Sequence, residues 1–138
     1  MPGGISFMPE NDPQPQPGQV PALLDVHVGR GRTSVRLELR PVGLDWLLLI
    51  TGGEQHVVAV ALAEPGSDPA QLVRGAHREG PLAATCAAII SAATGAGCVA
   101  VAGIHQDEAT GEEIVAIVGN AERGARILAA WAVDRDQR

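Results

Sequence analysis

Histidine and carboxylate side chains occur at three points in this 138-residue sequence where an apolar segment begins or ends. His56 follows a pair of glycines, His77 precedes an alanine-rich segment, and His105 and Asp107 directly follow a short apolar run. Imidazole nitrogens and carboxylate oxygens bind divalent metal ions, and loops beside helix N-termini bind anions. These four residues therefore predict a metal site or an anion site, provided that the fold brings the three points together.

Each of these residues also has an ordinary structural explanation. A single histidine at a strand end usually makes a hydrogen bond or lies on the surface, and aspartate is common near the start of a helix. Gly52 and Gly53 are first of all turn residues, because they match neither GxGxxG nor GxxxxGK[ST]. Three of the four histidines nevertheless lie at predicted element junctions, which favours a site, whereas we expect His27 to be structural.

Four strand-type segments come first along the chain, at residues 24–29, 34–39, 46–51 and 56–63. The first two alternate between apolar and polar residues, which is typical of antiparallel strands with one solvated face. The other two are continuous apolar runs and predict central strands. The intervening GGEQ is short enough to predict a hairpin between them.

The remaining segments predict two helices around one more strand. Residues 80–95 are rich in alanine, carry Pro81 in the first turn and end at a glycine, as helices often do. Residues 97–104 predict a buried strand. From Thr110 onward the sequence has a capping box with Glu113, followed by apolar residues at helical spacing up to Trp131 or Ala132.

The resulting order, β-β-β-β-α-β-α, predicts an α+β fold. We expect a two-layer sandwich in which a mainly antiparallel sheet carries both helices on one face. The alanine-rich helix is apolar nearly all round, which indicates packing against the sheet and against a further partner, such as a second subunit of a homo-oligomer.

Composition defines one folded domain and excludes several classes of function. Residues 1–22 contain six of the ten prolines and predict a disordered arm, which leaves residues 23–134 as a single domain. A net charge of −6 with scattered arginines argues against nucleic-acid binding. No apolar run approaches about 18 residues and no signal peptide is evident, so we expect a cytoplasmic protein without a membrane partner. Cys86 and Cys98 lie in apolar runs and are expected to be buried, reduced thiols.

The residues offer little support for catalysis. The sequence has no GxSxG or HExxH motif, no lysine for a Schiff base and no tyrosine to act as an acid. Thiols in apolar surroundings have raised pKa values and are poor nucleophiles. The chain is therefore expected to bind a ligand rather than to act as an enzyme.

Three motifs resemble those of the LpdD-like family of prenylated-flavin-associated chaperones, which accompany UbiD-type aromatic-acid decarboxylases. They are ITGGEQHVVAVALA at residues 50–63, GAHREGPLA at 75–83 and VAGIHQDEATGEEI at 101–114. The similarity extends over residues 23–132. It departs from the family pattern at Val57 and Val58, where a small residue is expected after the histidine.

The resemblance implies a protein that binds prenylated FMN, or FMN, and delivers the reduced cofactor to an apo-decarboxylase. Carried over by motif, the cofactor-binding residues are Gly52, Gly53, His56, His77, Arg78, Glu79, His105 and Asp107. A divalent metal held by His56, His77, His105 and Asp107 is an additional expectation. Two alternatives remain open: a structural accessory subunit of a decarboxylase, and a small metal-dependent enzyme that uses the histidine–aspartate cluster.

Overall fold

The computed structural model describes residues 23–75 and 79–136, with side chains up to residue 134. The predicted arm, residues 1–22, and the pair His77 and Arg78 therefore lie outside the described residues. The elements are β1 (Leu24–Val28), a 3-10 turn (Gly31–Thr33), β2 (Val35–Val42), β3 (Asp45–Gly53), β4 (Ala59–Ala63), β5 (Ala70–Val73), α1 (Gly80–Thr94), β6 (Cys98–His105) and α2 (Gly111–Asp136).

The six strands of the described residues form one open sheet in the order β1-β2-β3-β6-β4-β5. β3 and β6 are parallel, and every other neighbouring pair is antiparallel. The predicted α+β class with a mainly antiparallel sheet is confirmed. The structure contains one strand that the sequence did not predict, Ala70–Val73. It has only four residues, including a glutamine, and therefore shows no clear alternation of apolar and polar side chains.

The predicted hairpin between the third and fourth strands is wrong. β6 lies between β3 and β4 and pairs with both of them. The reason is burial: β6 carries no charged residue before its last position, His105, and a strand of this kind is most stable with a neighbour on each side. β4 also begins at Ala59, so His56 belongs to the preceding loop rather than to the strand.

Both helices pack on one face of the sheet, as predicted. One row of paired residues across four strands, Leu39, Leu48, Ala100 and Ala61, is fully or almost fully buried beneath them. α1 contacts β4, β5 and β6, α2 contacts β1 and β2, and the helices contact each other. Much of the apolar surface of α1, which suggested a second subunit, is thus covered within the chain by α2.

On the opposite face β1 and β2 carry charged residues, among them Arg36, Glu38 and Arg40, whereas β3, β4, β5 and β6 carry apolar ones. We call this apolar part the open face. Because side chains alternate along a strand, it carries the residues between the buried ones. Leu62 is 51% exposed and Leu72 is 76% exposed. The other members of the open face are partly buried: Leu47, Leu49, Val60, Val99 and Val101. Neither described helix packs on this face, since the helical core residues cluster with the other set of strand positions.

The helix limits follow the predicted signals closely. α1 begins at Gly80 with Pro81 in its first turn and ends at Gly95, which has the left-handed φ of 72°. The sequence left open whether Trp131 or Ala132 ends the buried side of α2. Ala132 is buried, and Trp131 is 45% exposed. No helix within the described parts of the chain is long and apolar enough to cross a membrane.

Both cysteines are buried, as the sequence predicts. Cys86 on α1 and Cys98 on β6 have no measurable exposure. Burial raises the pKa of each thiol to about 12. Neither sulfur is therefore a thiolate at neutral pH, which agrees with a core role for both.

Candidate functional site

Several loops that carry the candidate residues meet at one edge of the sheet. β3 and β6 are parallel, so their carboxyl ends lie side by side, with Gly53 paired to His105. β4 runs antiparallel to β6 and therefore begins at this edge, where the Val58 amide donates to the Ala102 carbonyl at 2.9 Å. We call it the loop edge.

Gly52 and Gly53 permit a close approach of backbones at the loop edge. Gly53 has a φ of 58°, and a Cβ atom there would collide with the His105 carbonyl oxygen. A Cβ atom on Gly52 would lie 2.9 Å from the Ser34 carbonyl oxygen. Directly after this pair, the Glu54 amide donates to the His105 carbonyl oxygen at 2.9 Å. Gly53 thus allows the end of β3 to lie against the end of β6, and Gly52 allows it to lie against Ser34, the residue before β2, so that the side chains that follow are positioned.

The structure brings His105, Asp107 and His56 together. His105 Nε2 lies 2.9 Å from Asp107 Oδ1, and the rings of His56 and His105 have centroids 5.4 Å apart. The side chain of Asp107 is 82% exposed and that of His105 is 36% exposed. Among the described residues, the group with metal-ligand spacing is Glu54, His105 and Asp107, whose donor atoms all lie within 4.8 Å of one another. His56 contacts this group through its ring.

Glu54 and Arg32 are residues of the site that the sequence reasoning missed. Glu54 is an exposed turn residue, and its only signal is its place between Gly53 and His56. Arg32 lies in the 3-10 turn, donates from Nη2 to the Asp107 carbonyl oxygen at 2.7 Å and from Nε to Glu113 at 2.9 Å. It therefore ties the loop after β6 to the first turn of α2.

The N-terminus of α2 is capped by its own residues. The Glu113 amide donates to Thr110 Oγ1 at 3.1 Å, and the Thr110 amide donates to the Glu113 carboxylate at 3.0 Å, so the predicted capping box is confirmed. The hydrogen bond from Arg32 lowers the pKa of Glu113, with a further contribution from the Thr110 amide. The amides of Thr110 and Glu113 and the Glu113 carboxylate are thus already engaged in hydrogen bonds within the protein.

The N-terminus of α1 is different. Glu79 occupies the cap position and makes no side-chain cap hydrogen bond to this helix. The backbone at the end of β5 is anchored nearby, where the Arg74 amide donates to the Val58 carbonyl oxygen at 2.8 Å. The Arg74 side chain is exposed and reaches the Val57 carbonyl oxygen at 3.4 Å. The start of α1 and the exposed Arg74 guanidinium are each features of an anion site, and both belong to the loop edge.

Comparison with known proteins supports the fold and identifies the family. A search of curated proteins finds no match. Six chains of known structure match the fold. One comes from the "Crystal Structure of a Novel Chaperone Complex for Yeast 20S Proteasome Assembly", with a TM-score of 0.59 and 12% identity, and covers 81% of this chain and 98% of that chain. At this identity the likeness concerns the fold alone.

In sequence, residues 29–132 match the prenylated flavin chaperone LpdD-like domain. This match includes every loop of the loop edge, and the chain therefore belongs to the prenylated flavin chaperone LpdD-like family.

Proposed function

We propose that the protein binds prenylated FMN in its reduced form and assists delivery of the cofactor to an apo UbiD-type aromatic-acid decarboxylase, without itself catalysing a reaction. The observation that carries the proposal is the family match over residues 29–132, which spans the whole loop edge. The geometry is compatible with it, because the loop edge contains the start of α1 and the exposed Arg74, and the aliphatic open face extends from it along β3, β6 and β4.

The phosphate of the cofactor would bind at the N-terminus of α1. Its donors would be the amides of Gly80 and Leu82, because Pro81 has no N–H and the Ala83 amide donates to the Glu79 carbonyl oxygen. Amides in the first turn carry partial positive charge, and the charge of a phosphate monoester is near −2 at neutral pH. In this proposal Arg74, an exposed residue directly after β5, adds a charge-assisted hydrogen bond in place of its contact with the Val57 carbonyl oxygen. His77, Arg78 and Glu79, which the resemblance assigns to cofactor binding, directly precede this helix in the sequence and remain part of the proposal.

From the start of α1 the ligand would pass round the strand ends at the loop edge, so that its ring system lies on the open face, next to His56 and His105. Aromatic stacking partners are scarce, since Trp46 is buried in the core and Trp131 is on α2. Leu49, Val60 and Val101 form one paired row across β3, β6 and β4 on the open face. Partly exposed aliphatic side chains of this kind provide apolar contact area without enclosing the ligand. A partly open site is consistent with a carrier that must release its ligand.

An anaerobic titration with reduced prenylated FMN tests the proposal. We expect a change in the flavin absorption spectrum and co-elution of flavin with the protein on gel filtration. Arg74→Gln is expected to weaken binding by about tenfold or more, since hydrogen bonds to charged groups contribute about 1.5–3 kcal/mol. Arg123→Gln, an exposed arginine on α2, is the matched control and should leave the affinity unchanged.

Delivery is measured separately, as the decarboxylase activity gained when the loaded protein is mixed with an apo-decarboxylase. An unchanged spectrum and elution of flavin without the protein would contradict the proposal, as would equal affinities of the two arginine variants. Binding without any gain of decarboxylase activity would contradict the delivery step alone.

The open face favours a second candidate function, that of a structural accessory subunit of a decarboxylase. Apolar surface of this extent marks interaction sites, and Leu62 and Leu72 are its most exposed members. The same surface is where we would place the contact of a cytoplasmic homo-oligomer. Leu72→Glu should dissociate such an assembly in analytical ultracentrifugation. Co-purification with the decarboxylase in the absence of flavin would favour the accessory subunit over the carrier.

A further inference from the structure

We propose that Glu54, His105 and Asp107 form a binding site for a divalent cation of the first transition row, such as Mn²⁺ or Zn²⁺. The proposal is independent of flavin binding, because it depends only on these three side chains. It differs from the sequence-based expectation in its ligand set: Glu54 joins His105 and Asp107 as a donor.

The three donors belong to segments that hydrogen bonds hold together. Glu54 follows β3, and its amide donates to the carbonyl oxygen of His105, the last residue of β6. Asp107 is two residues further on, and Arg32 holds its carbonyl oxygen at 2.7 Å. The backbones of all three residues are therefore fixed relative to one another before any ion binds, which lowers the entropic cost of assembling the ligands.

The distances suit a single ion. Metal–ligand bonds of about 2.0–2.2 Å place the donors of one ion no more than about 4.4 Å apart. His105 Nε2 and Asp107 Oδ1 are already 2.9 Å apart, and the whole group lies within 4.8 Å. The small excess can be removed by rotation of the Glu54 side chain, which is exposed and has free space.

The donor types select the class of cation. One imidazole and two carboxylates suit Mn²⁺ and Zn²⁺, whereas Mg²⁺ and Ca²⁺ prefer oxygen ligands alone. Two carboxylates also balance the double positive charge. Because Asp107 is 82% exposed, water would complete the coordination sphere, and an ion placed here would have open positions towards the loop edge.

Isothermal titrations of the full chain with MnCl₂, ZnCl₂, MgCl₂ and CaCl₂, each in the absence of flavin, test the site, and binding is expected for Mn²⁺ or Zn²⁺. We expect one ion per chain. Glu54→Gln and His105→Gln should each weaken metal binding by at least about tenfold. Loss of a residue that only hydrogen-bonds to a metal ligand already lowers the affinity by about tenfold or more, and loss of a ligand itself should have at least the same effect. Glu64→Gln and His27→Gln are matched controls, because Glu64 lies after β4 at the opposite edge and His27 lies on β1. Both should bind as the unmodified protein does.

Circular dichroism and urea unfolding of each variant show whether it is folded, so that a loss of binding is assigned to the ligand set. The proposal is overturned if the unmodified chain binds neither Mn²⁺ nor Zn²⁺ at millimolar concentration. It is also overturned if both variants, folded, bind as tightly as the controls, or if only Mg²⁺ and Ca²⁺ bind and His105→Gln does not affect them. None of these results bears on flavin binding, which is measured without added metal.

Discussion

Replacement of Gly53 by alanine should destabilise the protein and displace the candidate site in one step. Gly53 has a φ of 58°, which costs an alanine about 1–2 kcal/mol. The new methyl group would also collide with the His105 carbonyl oxygen and lie 2.5 Å from Gln106 Nε2. The glutamine side chain can move, but the carbonyl belongs to the end of β6. Overpacking of this kind adds about 1–3 kcal/mol, so the expected loss of unfolding free energy is about 2–5 kcal/mol.

Gly43→Ala separates the two contributions. Gly43 has a φ of 60°, almost the same as Gly53, and no atom lies within 4 Å of the Cβ position. Urea unfolding should therefore give a loss of only about 1–2 kcal/mol for this variant. A titration with Mn²⁺ should give unchanged affinity for Gly43→Ala and weaker binding for Gly53→Ala, because only Gly53 fixes Glu54 beside His105. Equal losses of stability in the two variants would refute the argument that backbone contact at Gly53 positions the site.

Two further predictions concern the core. Cys86 and Cys98, whose burial raises each thiol pKa to about 12, should react with a thiol reagent at pH 8 only in step with unfolding; labelling of the native protein at the rate of a free thiol would contradict their burial. Gly124→Ala should lower the free energy of unfolding by about 1–3 kcal/mol, because its Cβ atom would press against the buried Leu37 side chain. Gly119→Ala, on the same helix with no atom within 4 Å, should instead raise it by up to about 1 kcal/mol. Urea unfolding measures the free energy of unfolding of both glycine variants. A loss of stability in Gly119→Ala would contradict the explanation of the difference between the two variants by helix propensity and packing.

The parts of the fold that could be predicted from the sequence are those fixed by neighbouring residues. The capping box of Thr110 and Glu113, the start of α1 at Gly80 and its end at Gly95 all depend on contacts within a few residues. Alternation likewise predicts β1 and β2, which are consecutive and antiparallel. In each case the interaction that decides the structure is contained in the sequence segment that predicts it.

Strand order could not be predicted in the same way. A glycine-rich stretch of four residues favours a hairpin locally, yet β6 lies between β3 and β4. Pairing β6 with two neighbours satisfies the hydrogen bonds of the most uniformly apolar strand on both sides. That gain depends on residues more than 40 positions apart, such as Trp46 and Cys98, and periodicity carries no information about it. The short strand β5 was missed because four residues with a central glutamine show no period.

The candidate site shows the same division between local and distant information. Histidine and aspartate at predicted strand ends are rare enough to be noticed, and the structure does place His56 beside the pair His105 and Asp107. Glu54 and Arg32 are of common surface types in turns, so nothing in their own segments marks them. The position of Glu54 depends on β3 and β6 being parallel neighbours, and that of Arg32 on the contact of the 3-10 turn with the loop after β6 and with α2, neither of which the sequence alone predicts.

The parallel pair also explains why the site lies at this edge of the sheet and not at the other. Parallel strands end together, so the residues after β3 and β6 emerge side by side, and the backbone contact at Gly53 brings them within hydrogen-bonding distance. At the opposite edge the same two strands begin. There the Trp46 amide donates to the Gly97 carbonyl oxygen at 3.0 Å, and the Gly97 amide donates to Asp45 Oδ1 at 2.8 Å. There the carboxylate is used to hold a turn. At the loop edge the Glu54 amide makes the backbone bond to the His105 carbonyl oxygen, and the exposed Glu54 carboxylate lies instead within 4.8 Å of the donor atoms of His105 and Asp107.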